Sequence, residues 1–264
     1  MKQYKIAVVG ATGMVGRMFL RVLEERKLPA SEYFLFASAR SAGTTVEFMG
    51  KKHTVRELTE DAFKGLGIDI ALFSAGGGTS STWRMDPDVP LVVPEVNAHA
   101  IPEYKKKGII ANPNCSTIQA MVALKPLAVK YGLKRVIYST YQAVSGAGMG
   151  GYSDLENGLK GESPKKFPHP IAGNILPQID VFLDTGYTKE EQKMIDESRK
   201  ILDLPNLRVT ATTVRVPVFH GHSESINVEL EQAFELSDIR KLWEATEGLV
   251  VQDEPEKGIY PMPL

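Results

Sequence analysis

The one cysteine of the chain lies in Asn112-Pro113-Asn114-Cys115-Ser116-Thr117. Gly108-Ile109-Ile110-Ala111 before it is short and apolar, as a buried strand is, and the run from Ile118 to Val129 carries helical apolar spacing. Pro113 ends the strand, and the Asn-Cys-Ser-Thr group offers capping side chains. This order predicts Cys115 at a helix N-terminus, where unpaired backbone N–H groups and the helix dipole favour a thiolate. The alternative is a small buried hydrophobe, the usual fate of a free cysteine. The placement favours a nucleophile.

A second group sits around a turn. The strand Leu207 to Val216 is broken by Pro217 and Gly221, and a strand from Ile226 to Leu230 follows. Arg215 and His222 flank that turn and can face one pocket, although on a straight strand their odd separation would place them on opposite faces. An arginine suits a carboxylate, and a histidine suits proton transfer near neutral pH. Gln142, near the end of a long strand from Lys134 to Val144, either orients a reacting carbonyl or faces water at a sheet edge. Glu190 and Lys193 share a face of a helix predicted from Thr188 to Ile201, with Thr188 as cap and Glu191 as its capping-box partner. By themselves they read as a solvated ion pair.

The third group is made of glycines. Tyr4 to Val9 reads as a strand, Gly10-Ala11-Thr12-Gly13-Met14-Val15-Gly16 as a tight turn, and the following residues as an amphipathic helix to about Arg26. Strand, glycine-rich turn and helix together suit a pyrophosphate, which needs close backbone approach and a helix N-terminus. After the second strand, Tyr33 to Ala37, stands Ser38-Ala39-Arg40-Ser41 rather than an acidic residue. An arginine with two hydroxyls suits a 2′-phosphate and favours NADP over NAD; a solvated loop arginine is the bland alternative. Ile68 to Phe73 reads as a further buried strand, ending in the glycine-rich Ser74-Ala75-Gly76-Gly77-Gly78. Leu58 to Leu66 reads as a short helix, and Ser153 to Ile175 as a long irregular loop.

These elements sit in an ordinary soluble composition. At 264 residues the chain is long enough for about two domains. A net charge of -1 gives no electrostatic reason to expect nucleic acid or a membrane surface as partner. A single cysteine forms no internal disulfide, and with no signal-peptide pattern the cytoplasm is expected. No metal-ligand cluster is expected.

The pieces GATGMVG (Gly10–Gly16), SARSAG (Ser38–Gly43), FSAGG (Phe73–Gly77), RMDPDVPLVVPEVN (Arg84–Asn97), NPNCST (Asn112–Thr117), QAVSGAG (Gln142–Gly148), LPQID (Leu176–Asp180) and GHSES (Gly221–Ser225) resemble, in order, the aspartate-β-semialdehyde dehydrogenase family. The resemblance implies an α/β fold. A Rossmann-type dinucleotide-binding domain would cover residues 1–114, and an α+β catalytic and dimerisation domain with a mixed sheet residues 115–264. It implies NADP-dependent reductive dephosphorylation of L-aspartyl 4-phosphate to the 4-semialdehyde, toward lysine (through diaminopimelate), methionine and threonine. The partners would be a small-molecule substrate, inorganic phosphate and a second copy of the chain.

By match, Cys115 is the nucleophile, His222 the acid–base and Gln142 the residue that positions the reacting group. Arg215 binds the substrate α-carboxylate and Glu190 its amino group, with Arg84, Asn114 and Lys193 on phosphate. The cofactor set is Gly10, Thr12, Gly13, Met14, Val15, Gly16, Ser38, Arg40, Ser41, Ser74, Gly76, Ser145 and Gly146. The rival readings are a related acyl-phosphate reductase of the N-acetylglutamyl-phosphate type and an inactive NADP-binding or dimer-forming protein.

Two departures from the family are expected. Between Ser80 and Val89 only Ser81 to Asp88 are present, fewer than the roughly 10–12 residues of a parallel crossover. A segment is therefore expected to be missing between Thr79 and Trp83, with a Cα step longer than about 3.8 Å as its sign. The family also continues, beyond the position of Leu264, with further strands and a helix.

Overall fold

The computed structural model describes residues 3–74 and 82–263. Gly76 and most of the expected break near Thr79 lie outside them. The chain forms two compact units, one up to Thr82 and one from Trp83.

In the first unit β1 (Tyr4–Val9) runs into α1 (Met14–Arg26), followed by β2 (Ala30–Ala37). A hairpin of β3 (Thr45–Phe48) and β4 (Lys51–Thr54) comes next, then β5 (Arg56–Glu57) and β6 (Ile70–Phe73). The sheet order is β5-β2-β1-β6, all parallel, as expected of a Rossmann-type unit. β1 is buried on both faces: Val8 packs with Leu20, Leu23 and Leu35, while Ala7 and Val9 pack with Phe34 and Phe36. That double burial explains why its sequence is apolar without alternation.

Two expectations fail in this unit. Leu58 to Leu66 forms turns rather than a helix, although Phe63 and Leu66 still pack against the sheet. Among the described residues β6 is the sheet edge, not a buried strand. Ile70 is 41% and Phe73 53% exposed, because among the described residues no strand pairs on its outer side.

The second unit is built on α2 (Cys115–Tyr131), β7 (Leu133–Gln142), α3 (Gly148–Gly158), α4 (Lys189–Leu202), β8 (Arg208–Arg215), β9 (Ser223–Leu230) and α5 (Leu236–Glu244). Its sheet is mixed: β7 is central, parallel to β8 and antiparallel to β9. Met121, Leu124 and Leu127 of α2 pack on Val136 and Tyr138 of β7 and on Met194 and Ile201 of α4. Truncating such a side chain to alanine costs about 2–5 kcal/mol.

Val89, Leu91, Val93 and Ala111 belong to this same core. The packing therefore changes hands ahead of the expected boundary between residues 114 and 115. Gly108 to Ala111 makes only a bridge, Leu91 to Ala111, and not a full strand. The expected loop from Ser153 begins as helix. α3 tolerates its glycines because Leu155 is buried against Val144, Ile171 and Leu176, and that packing outweighs low helix propensity.

Candidate active site

Cys115 is the first residue of α2. Asn114 caps the helix, its Oδ1 accepting from the backbone N–H of Ser116 at 2.9 Å and of Thr117 at 3.2 Å. The thiol faces His222, with Sγ 3.3 Å from Nε2. On the far side of the ring, the Ala143 N–H donates to Nδ1 at 3.0 Å. The neutral ring therefore carries its proton on Nε2, the nitrogen facing sulfur.

Burial, then the positive charge of Arg215, hold the His222 pKa below its ordinary value. Cys115 is exposed as a residue, yet its sulfur is crowded by protein, and desolvation followed by the Glu190 charge pushes the thiol up. The Ser116 N–H, Arg215 and the thiol's own backbone N–H pull the other way. A thiolate here thus draws on the helix N-terminus, Arg215 and the Nε2 proton, but desolvation outweighs them.

Glu190 organises the next layer. Its Oε1 accepts from Asn114 Nδ2 at 2.7 Å and Gln142 Nε2 at 3.1 Å, and its Oε2 from Lys193 Nζ at 3.2 Å. Burial works to raise this carboxyl, but the charge of Lys193 and the three donors outweigh it, and the pKa ends low. Lys193 responds in kind: desolvation lowers it, while Glu190 and Asp180 outweigh that and raise it. Lys193 Nζ also donates to Asp180 Oδ2 at 2.9 Å. The pair is thus a buried, netted ion pair rather than a solvated one.

Gln142 does not face water at an edge. It ends the central strand β7, is buried, and accepts from Thr140 Oγ1 at 2.9 Å. Arg215 ends β8 directly beside it in register and donates from Nη1 to the Ala143 carbonyl at 2.8 Å. Ser145 and Gly146, expected to serve the cofactor, form a 3-10 turn after β7 in this unit. A Cβ on Gly146 would lie 2.9 Å from Arg215 Nη1 and 3.4 Å from the His222 ring, so a side chain there would push on the Arg215 guanidinium.

Arg84 is held farther out. Nη1 pairs with Glu197 Oε1 at 3.1 Å and Nε donates to the Asn112 carbonyl at 2.9 Å. Glu197 Oε2 accepts the Asn114 N–H at 2.6 Å. Burial raises the Glu197 carboxyl, against the charge of Arg84. Glu197 and Glu191 were not singled out as site residues by the sequence reading, and Asp180 appeared only within the LPQID piece. The one available signal was helical spacing, since Glu190, Lys193 and Glu197 recur on one face of α4.

In the first unit, α1 starts at Met14 with Gly13 as cap. No side chain caps it and its first turn holds no acid, which leaves the N-terminus free for an anion. Gly10 has φ +80, and a Cβ there would lie 2.8 Å from the Ser74 carbonyl; one on Gly16 would lie 2.0 Å from the Gly10 carbonyl. Thr12, Val15 and Ser74 surround this turn, with Ser74 Oγ donating to the Gly10 carbonyl at 3.5 Å. Ser38, Arg40 and Ser41 follow β2 in a 3-10 turn. Arg40 is exposed and, among the described residues, its side chain has no hydrogen-bond or ion-pair partner. A backbone cradle with an unpaired arginine nearby fits a dinucleotide carrying a 2′-phosphate.

The semialdehyde dehydrogenase NAD binding domain matches residues 5–83, and the semialdehyde dehydrogenase dimerisation domain residues 124–264. The aspartate-semialdehyde dehydrogenase of Aquifex aeolicus is 54% identical over 287 residues, covering 99% of this chain and 84% of the relative. That alignment is longer than the 264 residues here, so the relative carries stretches with no counterpart in this chain. The Campylobacter jejuni enzyme of the same name is 47% identical, covering 100% of this chain and 84% of its own. The crystal structure of aspartate semialdehyde dehydrogenase II complexed with ASA from Vibrio cholerae superposes with a TM-score of 0.87 at 44% identity, covering 94% of this chain and 80% of that one. With two domain matches in order and relatives near half identical over almost its whole length, the chain belongs to the aspartate-semialdehyde dehydrogenase family.

Proposed function

We propose that this protein carries out the NADP-dependent reductive dephosphorylation of L-aspartyl 4-phosphate to L-aspartate 4-semialdehyde. The observation that carries the reading is the 3.3 Å approach of Cys115 Sγ and His222 Nε2 at the start of α2, beside the Glu190–Gln142 and Arg215 cluster. The sulfur attacks the acyl carbon as a thiolate, its proton passing to the departing phosphate; a C–S bond forms, the C–O bond to phosphate breaks, and inorganic phosphate leaves. The resulting thioester splits one hard step into two. Gly10 to Gly16 with Ser38, Arg40 and Ser41 would hold NADP, which in its reduced form would supply the hydride. His222 Nε2–H, held beside the sulfur, would donate to the oxygen that gains charge as the carbon is reduced, and the C–S bond then breaks to release aldehyde and thiolate.

The other residues bind and orient. Arg215 is a buried cation suited to the α-carboxylate, and Glu190 a low-pKa carboxylate suited to the amino group. Gln142 is locked by Thr140 and Glu190 and so holds one orientation toward the acyl group. Lys193, Arg84 and Asn114 gather cationic and N–H donors for phosphate. The dimerisation-domain match supports a homodimer. A nucleophilic lone thiol needs a reducing compartment, which supports the cytoplasm. No helix among the described residues is long and apolar enough to cross a membrane.

The direct test runs the reaction backward. NADP reduction is expected only when aspartate semialdehyde and inorganic phosphate are both present. Reduction that ignores phosphate overturns the acyl-phosphate reading.

A further inference from the structure

Two residues outside the cluster above repeat its geometry. Gln119 stands one helical turn after Cys115 on α2, and so on the same face. Glu224 stands two positions after His222 at the start of β9, again on the same side. The two meet: Gln119 Nε2 donates to Glu224 Oε1 at 2.7 Å and to the His222 carbonyl at 3.3 Å. The nucleophile helix and the histidine strand are thus joined by two adjacent rungs, Cys115–His222 and Gln119–Glu224. The second rung ties the backbone of the residue whose ring forms the first.

We infer that Gln119 and Glu224 are positioning residues that set the approach of His222 to the Cys115 sulfur. His222 needs such a tie. It follows Gly221, at φ +79, at the end of the turn that begins at Pro217, so its backbone sits where a turn becomes a strand. Its ring is fixed from one side by the Ala143 N–H. Without Gln119 none of the described residues' backbone-directed hydrogen bonds link α2 to His222; Ser223 stays paired with Tyr141 of β7, so what is lost is the tie that sets the histidine against the helix carrying the sulfur. A displacement near 1 Å from the reacting geometry is enough to slow a reaction by about 10- to 100-fold. Glu224 acts through acceptance by Oε1, so a neutral acceptor of the same shape serves equally.

The inference rests on the Cys115–His222 reading of the site, but its test does not need the substrate. Cys115 is the only thiol in the chain, so its alkylation by iodoacetamide reports on it alone. Gln119→Leu and Glu224→Leu are expected to slow alkylation and to lower kcat by roughly 10-fold each, with KM little changed. The double variant is expected to be no worse than either single one, since both break one rung, and Glu224→Gln to restore both readouts. Gln119 is exposed, so its variant folds even if Glu224→Leu does not. Unchanged or faster alkylation in folded Gln119→Leu overturns the inference. So does a Glu224→Gln protein as slow as Glu224→Leu, which would assign the effect to charge rather than position. Normal alkylation changes with no phosphate-dependent turnover in any form would instead count against the proposed reaction while leaving the positioning pair standing.

Discussion

The two units treat their polar groups in opposite ways. In the first, the ligand-facing groups are left open: α1 has no side-chain cap and no acid in its first turn, and Arg40 has no partner among the described residues. In the second, the central groups of the site are already paired, although Ser116 Oγ, Thr117 Oγ1, Thr213 Oγ1 and Glu224 Oε2 are buried without a partner among the described residues. Glu190 takes three donors, Gln142 is held at both ends of its amide, and Arg215 is bonded to a carbonyl. Open donors suit a cofactor that comes and goes, because it brings its own charge. A prearranged net suits a reacting centre, where reorganisation during the reaction costs rate.

Removing the nucleophile separates the two halves most sharply. Cys115→Ala is expected to lower turnover by on the order of 10⁴-fold or more, as loss of a covalent nucleophile does. NADPH affinity is expected to stay unchanged, because the cradle from Gly10 to Gly16 does not use the thiol. Steady-state rates and a fluorescence titration of NADPH check the two parts. Substantial residual turnover removes the assigned role.

The netted half also predicts a pH dependence. Burial raises the Glu224 carboxyl from an ordinary value of 4.5 to about 7, against the hydrogen bond from Gln119. The folded state then binds this proton more tightly than the unfolded chain. Its contribution is complete below about pH 4.5 and is lost as pH rises toward about 7. At about 1.4 kcal/mol per pH unit, the loss across that window is about 3 kcal/mol. Urea unfolding at pH 5 and pH 8 is expected to show a smaller difference in Glu224→Gln than in the parent by about that amount. Equal differences would mean that the carboxyl titrates normally.

The open half is tested at Arg40. On the proposed assignment, its loss removes a charge-assisted bond worth about 1.5–3 kcal/mol to a 2′-phosphate. Arg40→Ala is expected to raise the NADPH KM by roughly 10-fold or more and to leave the NADH KM almost alone. The Cys115 alkylation rate should not move. A parallel rise for both cofactors places Arg40 away from the 2′-phosphate.

The same contrast explains what was legible in the sequence. The first unit's cradle is local: strand, Gly10 to Gly16 and helix follow one another, so residue order alone displays it. The start of α2 was legible for the same reason, because Pro113, Asn114 and the apolar run after Cys115 are contiguous. The net in the second unit is not local. Asn114 and Glu190 are 76 positions apart and Gln142 and Glu190 are 48 apart, so the pairings depend on which elements end side by side. Gln142 stayed ambiguous until β7 proved to be the central strand, and Glu190 with Lys193 looked like a surface pair until α4 proved to be buried on that face. Glycines misled in α3, where packing of Leu155 outweighed propensity. Apolar composition misled in β6, where the lack of a pairing strand among the described residues, rather than the residues of β6, decides exposure.

The smallest predicted effect sets the two helix N-termini against each other directly. α4 has what α1 lacks: Thr188 Oγ1 accepts the Glu191 N–H at 3.3 Å and Glu191 Oε2 accepts the Thr188 N–H at 2.7 Å. Two acids, Glu190 and Glu191, stand in its first turn. Glu191 Oε1 reaches on to the Thr213 N–H of β8 at 3.0 Å, so the cap also fastens the helix to the sheet that carries Arg215. Thr188→Ala removes one side of that box and is expected to cost about 1–2 kcal/mol in urea unfolding. Because Glu191 keeps its bond to Thr213, the helix should stay docked and Glu190 should keep its partners, so kcat should change by less than about twofold. No comparable loss is available at α1, where Gly13 contributes no capping side chain. A Thr188→Ala protein that loses turnover while keeping its stability would mean that the cap holds Glu190 in place, and that the two helix starts differ in catalytic duty as well as in how their N–H groups are satisfied.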